Sequence, residues 1–415
     1  MIFGASTCLL RGRKPHEHSK VTFVELFFDL VFVFAITQLS HYLLEHFTVA
    51  GIMQTALMLM AVWWVWIYTS WATNWLDPRT TPVRVALFAL MLVGLVLSTS
   101  IPEAFGTRAA GFAAAYVLMQ VGRSAFMLWA LRRHDGGNYR NFQRITAWFV
   151  LSALFWIAGI FADGQARFAL WAIALAIEYA APACGFRTPG LGRSTTTEWD
   201  ISGAHIAERC GLFIIVALGE SILVTGVTFG KMDWMAATAA AFAVAFIGSV
   251  AMWWIYFNIG AERAAEYIAA SDDPGRHARV AYTYTHLLPV AGIIVTAVSD
   301  ELVLAHSGGH VDFKTAATTL GGPALFLVGN LIFKRILAGS RGLSHMVGLG
   351  LLLLAAPAAL IAPPLVLGAI TSAILVVVAI WETRSLGAHA PLQPAARASA
   401  VPVKPKARPR KRKRG

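Results

Sequence analysis

Val21–Glu45 reads VTFVELFFDLVFVFAITQLSHYLLE. The run is apolar for about 25 residues, long enough as a helix to cross the hydrocarbon core of a bilayer. Two carboxylates, Glu25 and Asp29, interrupt its first half. Being four residues apart, they share one helix face, which Phe32, Ile36 and Ser40 continue. A carboxylate at membrane depth is expensive unless it is paired or wetted, so this stripe is expected to be used. The plainer reading puts Glu25 at headgroup level and leaves only Asp29 inside.

The rest of the chain agrees with a membrane-spanning reading. Of 415 residues, 57% are hydrophobic and 13% charged, against about 25% charged in ordinary soluble domains. Apolar runs of spanning length fall at 21–45, 48–72, 82–101, 108–131, 143–162 and 166–184. After a polar gap they resume at 205–229, 234–258, 278–304, 316–337, 343–361 and 364–382. The sequence predicts an all-α polytopic membrane protein of about twelve transmembrane helices. No small-residue cleavage site follows the first apolar run, so that run is expected to stay as a span. With the N-terminus placed in the cytoplasm, most of the 34 Lys and Arg residues sort to cytoplasmic segments, as the positive-inside rule requires.

The two halves match in order. Glu25 in VELFFDLVFVFAITQL aligns with Glu208 in AERCGLFIIVALGESIL. Ala61-Val62-Trp63-Trp64-Val65-Trp66 aligns with Ala251-Met252-Trp253-Trp254-Ile255-Tyr256, and Val121-Gly122-Arg123 with Val328-Gly329-Asn330. Ile177-Glu178 resembles Ile380-Trp381-Glu382. Six helices per unit make the units parallel, related by an axis near the membrane normal. The expected organisation is a cytoplasmic N-terminal segment (1–20), a first six-helix repeat (21–184), a cytoplasmic linker (185–204), a second six-helix repeat (205–384) and a disordered basic cytoplasmic tail (385–415). The tail ends KPKARPRKRKRG and holds much of the net charge of +12. Anionic lipid headgroups are its expected partner, at about 1 kcal/mol per basic residue near the surface. Nucleic acid is the weaker reading, because no folded domain flanks the tail.

Candidate site residues are the polar groups at membrane depth. Asp29 and Arg123 both lie about 12 Å from the same membrane face by helix rise, which predicts an Asp29–Arg123 ion pair, joined by Glu25. Glu220 lies about 22 Å in, beside the small Gly219. His286 lies about 12 Å deep with Pro289 one turn on, where a proline can break the helix as transporter sites often do. Glu208 enters as the counterpart of Glu25. Glu103, Asp300 and Glu301 end helices and are expected at the outer surface, with His306, His310 and Asp312 as a loose, solvated cluster. The paired tryptophans are expected in packing and at the interface. Cys8, Cys184 and Cys210 show no metal or disulfide spacing. No phosphate-binding loop, nucleophile elbow, zinc-protease helix or dinucleotide fingerprint occurs, so no cofactor and no catalytic residue is expected.

The elements FVELFFDLVFVFAITQLSHYL, AERCGLFIIVALGESIL and WWVW together resemble the bacterial low temperature requirement A family, from Thr22 to about residue 384. Family members commonly read Glu-Arg-Phe-Gly/Ser where this chain has Glu208-Arg209-Cys210-Gly211, which leaves the Glu-Arg pair intact. The resemblance implies a multi-pass protein of the bacterial cytoplasmic membrane and carries no agreed molecular activity. Phe27-Phe28-Asp29 also looks similar to an element of two-repeat cation channels, but Gly211-Leu212-Phe213 departs from it in the second half. The preferred expectation is a secondary transporter or permease for a small solute or ion, with homo-oligomer formation left open. An ion channel, a membrane scaffold and an intramembrane enzyme acting on lipid are the alternatives.

Overall fold

The computed structural model describes residues 9–12, 21–132, 136–195, 201–258, 276, 279–338 and 342–387. Twelve helices among the described residues are long and apolar enough to cross a membrane. They are α1 (Phe23–Glu45), α2 (Val49–Trp75), α3 (Thr81–Ser100), α4 (Ala109–Leu131), α5 (Gly136–Ile160) and α6 (Gly164–Ala183). The second half holds α7 (Gly203–Gly230), α8 (Ala236–Phe257), α9 (Leu287–Ala305), α10 (Phe313–Ala338), α11 (Leu343–Ala355) and α12 (Pro364–Gly387), the spans of α9 and α11 being completed by the helical turns Arg279–Thr285 and Ala356–Leu360. The expected disordered tail falls outside the described residues, apart from the last turn of α12.

Local chemistry sets the helix starts. The Thr22 backbone N–H and hydroxyl donate to Glu25 Oε2 at 2.8 and 2.9 Å, a capping box that turns the first carboxylate back on its own helix end. Thr48 Oγ1 accepts from the Gly51 N–H at the start of α2. A π-helical segment, Arg279–Thr285, leads into α9. The irregularity ends at Thr285, four residues before Pro289. Pro289 sits in the first turn of α9, where a missing N–H loses no helical bond. The α11–α12 hairpin turns through Ala356–Leu360 and Pro363, as the proline pair predicts.

Helix α2 is the most enclosed span. Trp63, Trp64 and Trp66 are each at most 1% exposed, whereas their sequence counterparts Trp253 and Trp254 are 44% and 43% exposed. The same motif is thus core in one half and bilayer-facing in the other. Several neighbour relations recur between the halves: α1 packs on α2 and α3, α7 on α8 and α9; α3–α4 recurs as α9–α10, α5–α6 as α11–α12, and α2–α6 as α8–α12, whereas α2–α4 has no comparable α8–α10 contact. The α9–α10 contact is the closest, because glycines remove the side chains between the backbones. A Cβ on Gly322 would lie 2.7 Å from the Thr296 nitrogen, and one on Gly329 would lie 2.7 Å from the Pro289 nitrogen.

The halves meet along α1 and α7. Three contacts fix their register: Glu25 with His205, Asp29 with Arg209, and Ser40 with Glu220, each pair 180 residues apart. A constant difference in residue number requires the two helices to run parallel.

Candidate functional site

The α1–α7 seam carries two polar centres with an aromatic layer between them. In the inner centre, Arg209 is fully enclosed. Its guanidinium donates to both Asp29 oxygens at 2.8 and 2.9 Å, to the Glu25 carbonyl at 2.9 Å and to Ser70 Oγ at 3.2 Å. Trp66 Nε1 adds a donor to Asp29 Oδ1 at 2.8 Å, and the guanidinium carbon stands 5.5 Å from the Trp66 ring centre. Planar, bidentate pairing of this kind favours arginine over lysine. Glu25 Oε1 meets His205 Nε2 at 2.8 Å, and Glu25 Oε2 accepts from Arg11 at 2.8 Å. Arg11 arrives there because residues 9–11 pair with the end of α2. Its N–H donates to the Trp75 carbonyl, and the Asp77 N–H donates to the Leu9 carbonyl. Asn74 bridges Ser202 and His205 Nδ1, which leaves His205 Nε2 as the donor to Glu25. Every carboxylate of the inner centre therefore has a cationic or imidazole partner. Just outside the spans, burial pushes the Asp77 carboxyl up, but Arg79 more than offsets this and holds it below the usual range.

Phe28, Phe32, Trp63, Trp66 and Phe213 form the layer between the centres, with Phe32 and Phe213 ring centres 6.3 Å apart. The outer centre begins eleven residues further along each helix, about 16 Å on. Glu220 is fully enclosed. Ser40 Oγ donates to its Oε1 at 2.8 Å, and the Thr37 hydroxyl donates to Oε2. The next residue, Ser221, bonds to Ser249 at 2.9 Å and donates to Asp300 Oδ2 at 2.7 Å. Neither Glu220 nor Asp300 forms an ion pair among the described residues.

The predicted site residues divide accordingly. Glu25 and Asp29 lie in the inner centre. Glu25 is 0% exposed, because residues 9–11 fold over it. Arg123 does not pair with Asp29. It donates to the Val65 carbonyl at 3.2 Å, to Thr69 Oγ1 at 3.1 Å and to Gln120 Oε1. Equal depth was insufficient to predict the pair, because Arg209 on the facing helix takes both Asp29 oxygens. Gln120 in turn donates to Glu178 at 3.1 Å, so Arg123 is relayed to a carboxylate on α6. Glu208 is exposed and accepts from the Val21 N–H at 3.2 Å, one residue short of the buried face. His286 accepts at Nε2 from Tyr256 at 2.7 Å and places Nδ1 2.9 Å from the Ala281 carbonyl, which fixes its tautomer inside the second half. Asp300, expected at the outer surface, instead turns inward to Ser221, while Glu103 is exposed as expected. His306 and His310 are exposed, and the described residues contain no group of three metal-ligating side chains. Cys184 and Cys210 are free thiols; Cys8 lies outside the described residues.

Residue-by-residue depth reasoning missed His205, Thr37 and Ser221, and it placed Ser40 on the Asp29 face and Arg209 beside Glu208 without giving either its partner. The signal lay in the motifs themselves: Arg209 directly follows Glu208, and His205, Arg209 and Glu220 share a face of α7.

The family model for bacterial low temperature requirement A protein matches residues 20–380. A Rhizobium meliloti (strain 1021) protein, RA0937, is 41% identical over 367 residues, covering 88% of this chain and 90% of that protein. No solved structure matches the chain.

Proposed function

The chain belongs to the bacterial low temperature requirement A protein family, and on that premise we propose that it is a secondary transporter of a small solute, coupled to protons or a monovalent cation at Glu220. The observation that carries this reading is the contrast between the two centres. The inner carboxylates are neutralised by Arg209, Arg11 and His205. Glu220 is as deeply enclosed but is held only by hydroxyls. A carboxylate enclosed at membrane depth without a cationic partner takes up a proton or a cation. Hydroxyl and carboxylate oxygens are also the ligands that hard monovalent cations prefer.

The seam position supports a moving part. The offset of 183 residues that maps Glu25 onto Glu208 also relates Thr37 to Glu220, and these two touch. Matching positions of two repeats touch only at the axis that relates them, which supports the two-repeat reading and a site on that axis. A second matched feature points the same way. In the first half Arg123 on α4 reaches Glu178 on α6 through Gln120, with Ser152 of α5 donating to the acid. In the second half Lys334 on α10 pairs with Glu382 on α12 at 2.7 Å, with Ser344 of α11 donating. In each half the outer helices are pinned together, while α1 and α7 hold the axis. Rocking of one repeat against the other would expose Glu220 to alternate faces. On this reading the chain resides in the bacterial cytoplasmic membrane with both termini cytoplasmic. The inner ion pairs and the aromatic layer form the cytoplasmic gate.

Protein reconstituted in liposomes tests this. A pH or cation jump is expected to displace charge across the membrane in the wild type and to displace none in Glu220→Gln. The same variant should keep its gel-filtration profile, because the hydroxyl that faces the amide N–H₂ can accept from it and turn its own proton to a helix carbonyl, Thr37 to Val33 or Ser40 to Thr37. Equal charge displacement in both proteins would remove Glu220 from the coupling role.

A further inference from the structure

A groove of about 460 Å³ runs between α8 and α12 on the bilayer-facing side of the second half. Its walls are Phe246 and Val250 of α8 and Val376 and Ile380 of α12. It forms because the two helices approach closely at one level: a Cβ on Gly248 would come 2.9 Å from Ser372 Oγ. One end is polar. Trp254 Nε1 and Asn258 Nδ2 both donate to Thr383 Oγ1, at 2.9 and 3.0 Å, and Thr383 donates to the Ala379 carbonyl. That hydroxyl is saturated and fixes the rim. Arg384, the next residue, is exposed in the last turn of α12 and forms no ion pair among the described residues.

We propose that this groove is a binding site for one anionic phospholipid, with an acyl chain along the apolar walls and the phosphate on Arg384. Three features select this occupant. From Val376 to Arg384 the slot is about 12 Å long, close to the depth of about 15 Å for one leaflet's hydrocarbon. The α8 and α12 ends both lie on the membrane face of α1's N-terminus, since an even number of spans precedes each, so the cation sits at one headgroup level. An exposed guanidinium at the mouth of an otherwise apolar slot between helices calls for a phosphate, and basic pockets of this kind hold anionic headgroups.

The test uses the full-length protein in bilayers containing phosphatidylglycerol or phosphatidylcholine probes with a photoactivatable group on one acyl chain. Peptide mapping reads labelling of Phe246–Trp254 and Val376–Arg384 separately from the basic tail. The phosphatidylglycerol probe is expected to label the groove about fivefold more than the phosphatidylcholine probe, and Arg384→Gln to erase that difference. Val250→Trp, which fills the slot, should reduce groove labelling by both probes while the protein stays monodisperse. Equal labelling of the wild-type groove by the two probes would overturn the proposal, as would an unchanged preference in Arg384→Gln. Groove peptides cross-linked to a second copy, in place of lipid, would also overturn it.

Discussion

Asp29→Asn is expected to cut the folded yield sharply, with a loss of stability of about 3–5 kcal/mol, the usual consequence of stranding one member of a buried ion pair. The charge left behind is Arg209, which is fully enclosed and would keep the Glu25 carbonyl, Ser70 and one amide oxygen as acceptors, with no carboxylate opposite it. Arg209→Gln is expected to do the same from the other side, leaving Asp29 with Trp66 Nε1 as its remaining side-chain donor. The double change should recover most of the loss, since a neutral amide pair leaves no bare charge. Unfolding followed by fluorescence of the seam tryptophans checks this, because Trp66 touches both members of the pair. Strictly additive losses would show that the two residues are not coupled. Arg123→Gln combined with Asp29→Asn serves as the control and should show additivity, since these two side chains have separate partners.

Glu178→Gln is the second large effect. The carboxylate accepts four hydrogen bonds, from Tyr116 at 2.5 Å and Gln120 at 3.1 Å on Oε2 and from Ser152 at 2.7 Å and Trp156 at 3.1 Å on Oε1. An amide has one oxygen, so two of these donors would face an N–H₂ group. Tyr116 and Ser152 hydroxyls can rotate and accept. Gln120 would have to give up its bond to Arg123, and Trp156 has no acceptor to offer. Whichever way the amide turns, one donor is stranded at about 1–3 kcal/mol, and Arg123 loses the negative charge it reaches through Gln120. A total of about 3 kcal/mol is expected in chemical unfolding of the purified protein. Trp156→Phe, which removes one donor and leaves the charge, should cost markedly less. Equal stability of Glu178→Gln and the wild type would mean that the hydroxyl network holds these helices without the charge.

Most of the fold was legible because bilayer physics is read along the chain. Span length, apolar content and the distribution of Lys and Arg are properties of contiguous segments, and each of the twelve runs overlaps one helix, with α5 starting seven residues before its run and α9 nine residues after. The site was legible only in part. Position along a helix follows from counting, so Asp29 and Glu220 were found as polar groups well inside their spans. Which helix faces which is a rotational property that depth leaves undetermined, so Arg123 was matched to Asp29 when Arg209 was the residue across the seam. The hydroxyls of Thr37 and Ser221 escaped, and Ser40 was read only as part of the Asp29 face, because serine and threonine are ordinary in membrane helices and acquire meaning only beside Glu220. Burial of Glu25 depended on Arg11 and the short segment around it, which has no span-like signal of its own. The His286–Pro289 pair marked a real irregularity, but the Arg279–Thr285 π segment lies just upstream of it.

The central claim is that the Glu220 centre on the α1–α7 seam opens alternately to the two membrane faces. Ser40→Cys, made in a chain with Cys8, Cys184 and Cys210 replaced, places a thiol beside Glu220 in a position now only 2% exposed. A membrane-impermeant charged thiol reagent is then applied to sealed vesicles from one face at a time, under an imposed proton or cation gradient and under its reversal. The account predicts modification from the outer face under one gradient and from the inner face under the reverse. A thiol that stays unreactive from both faces under every gradient, in protein that remains folded, would contradict it and leave Glu220 as a sealed structural contact.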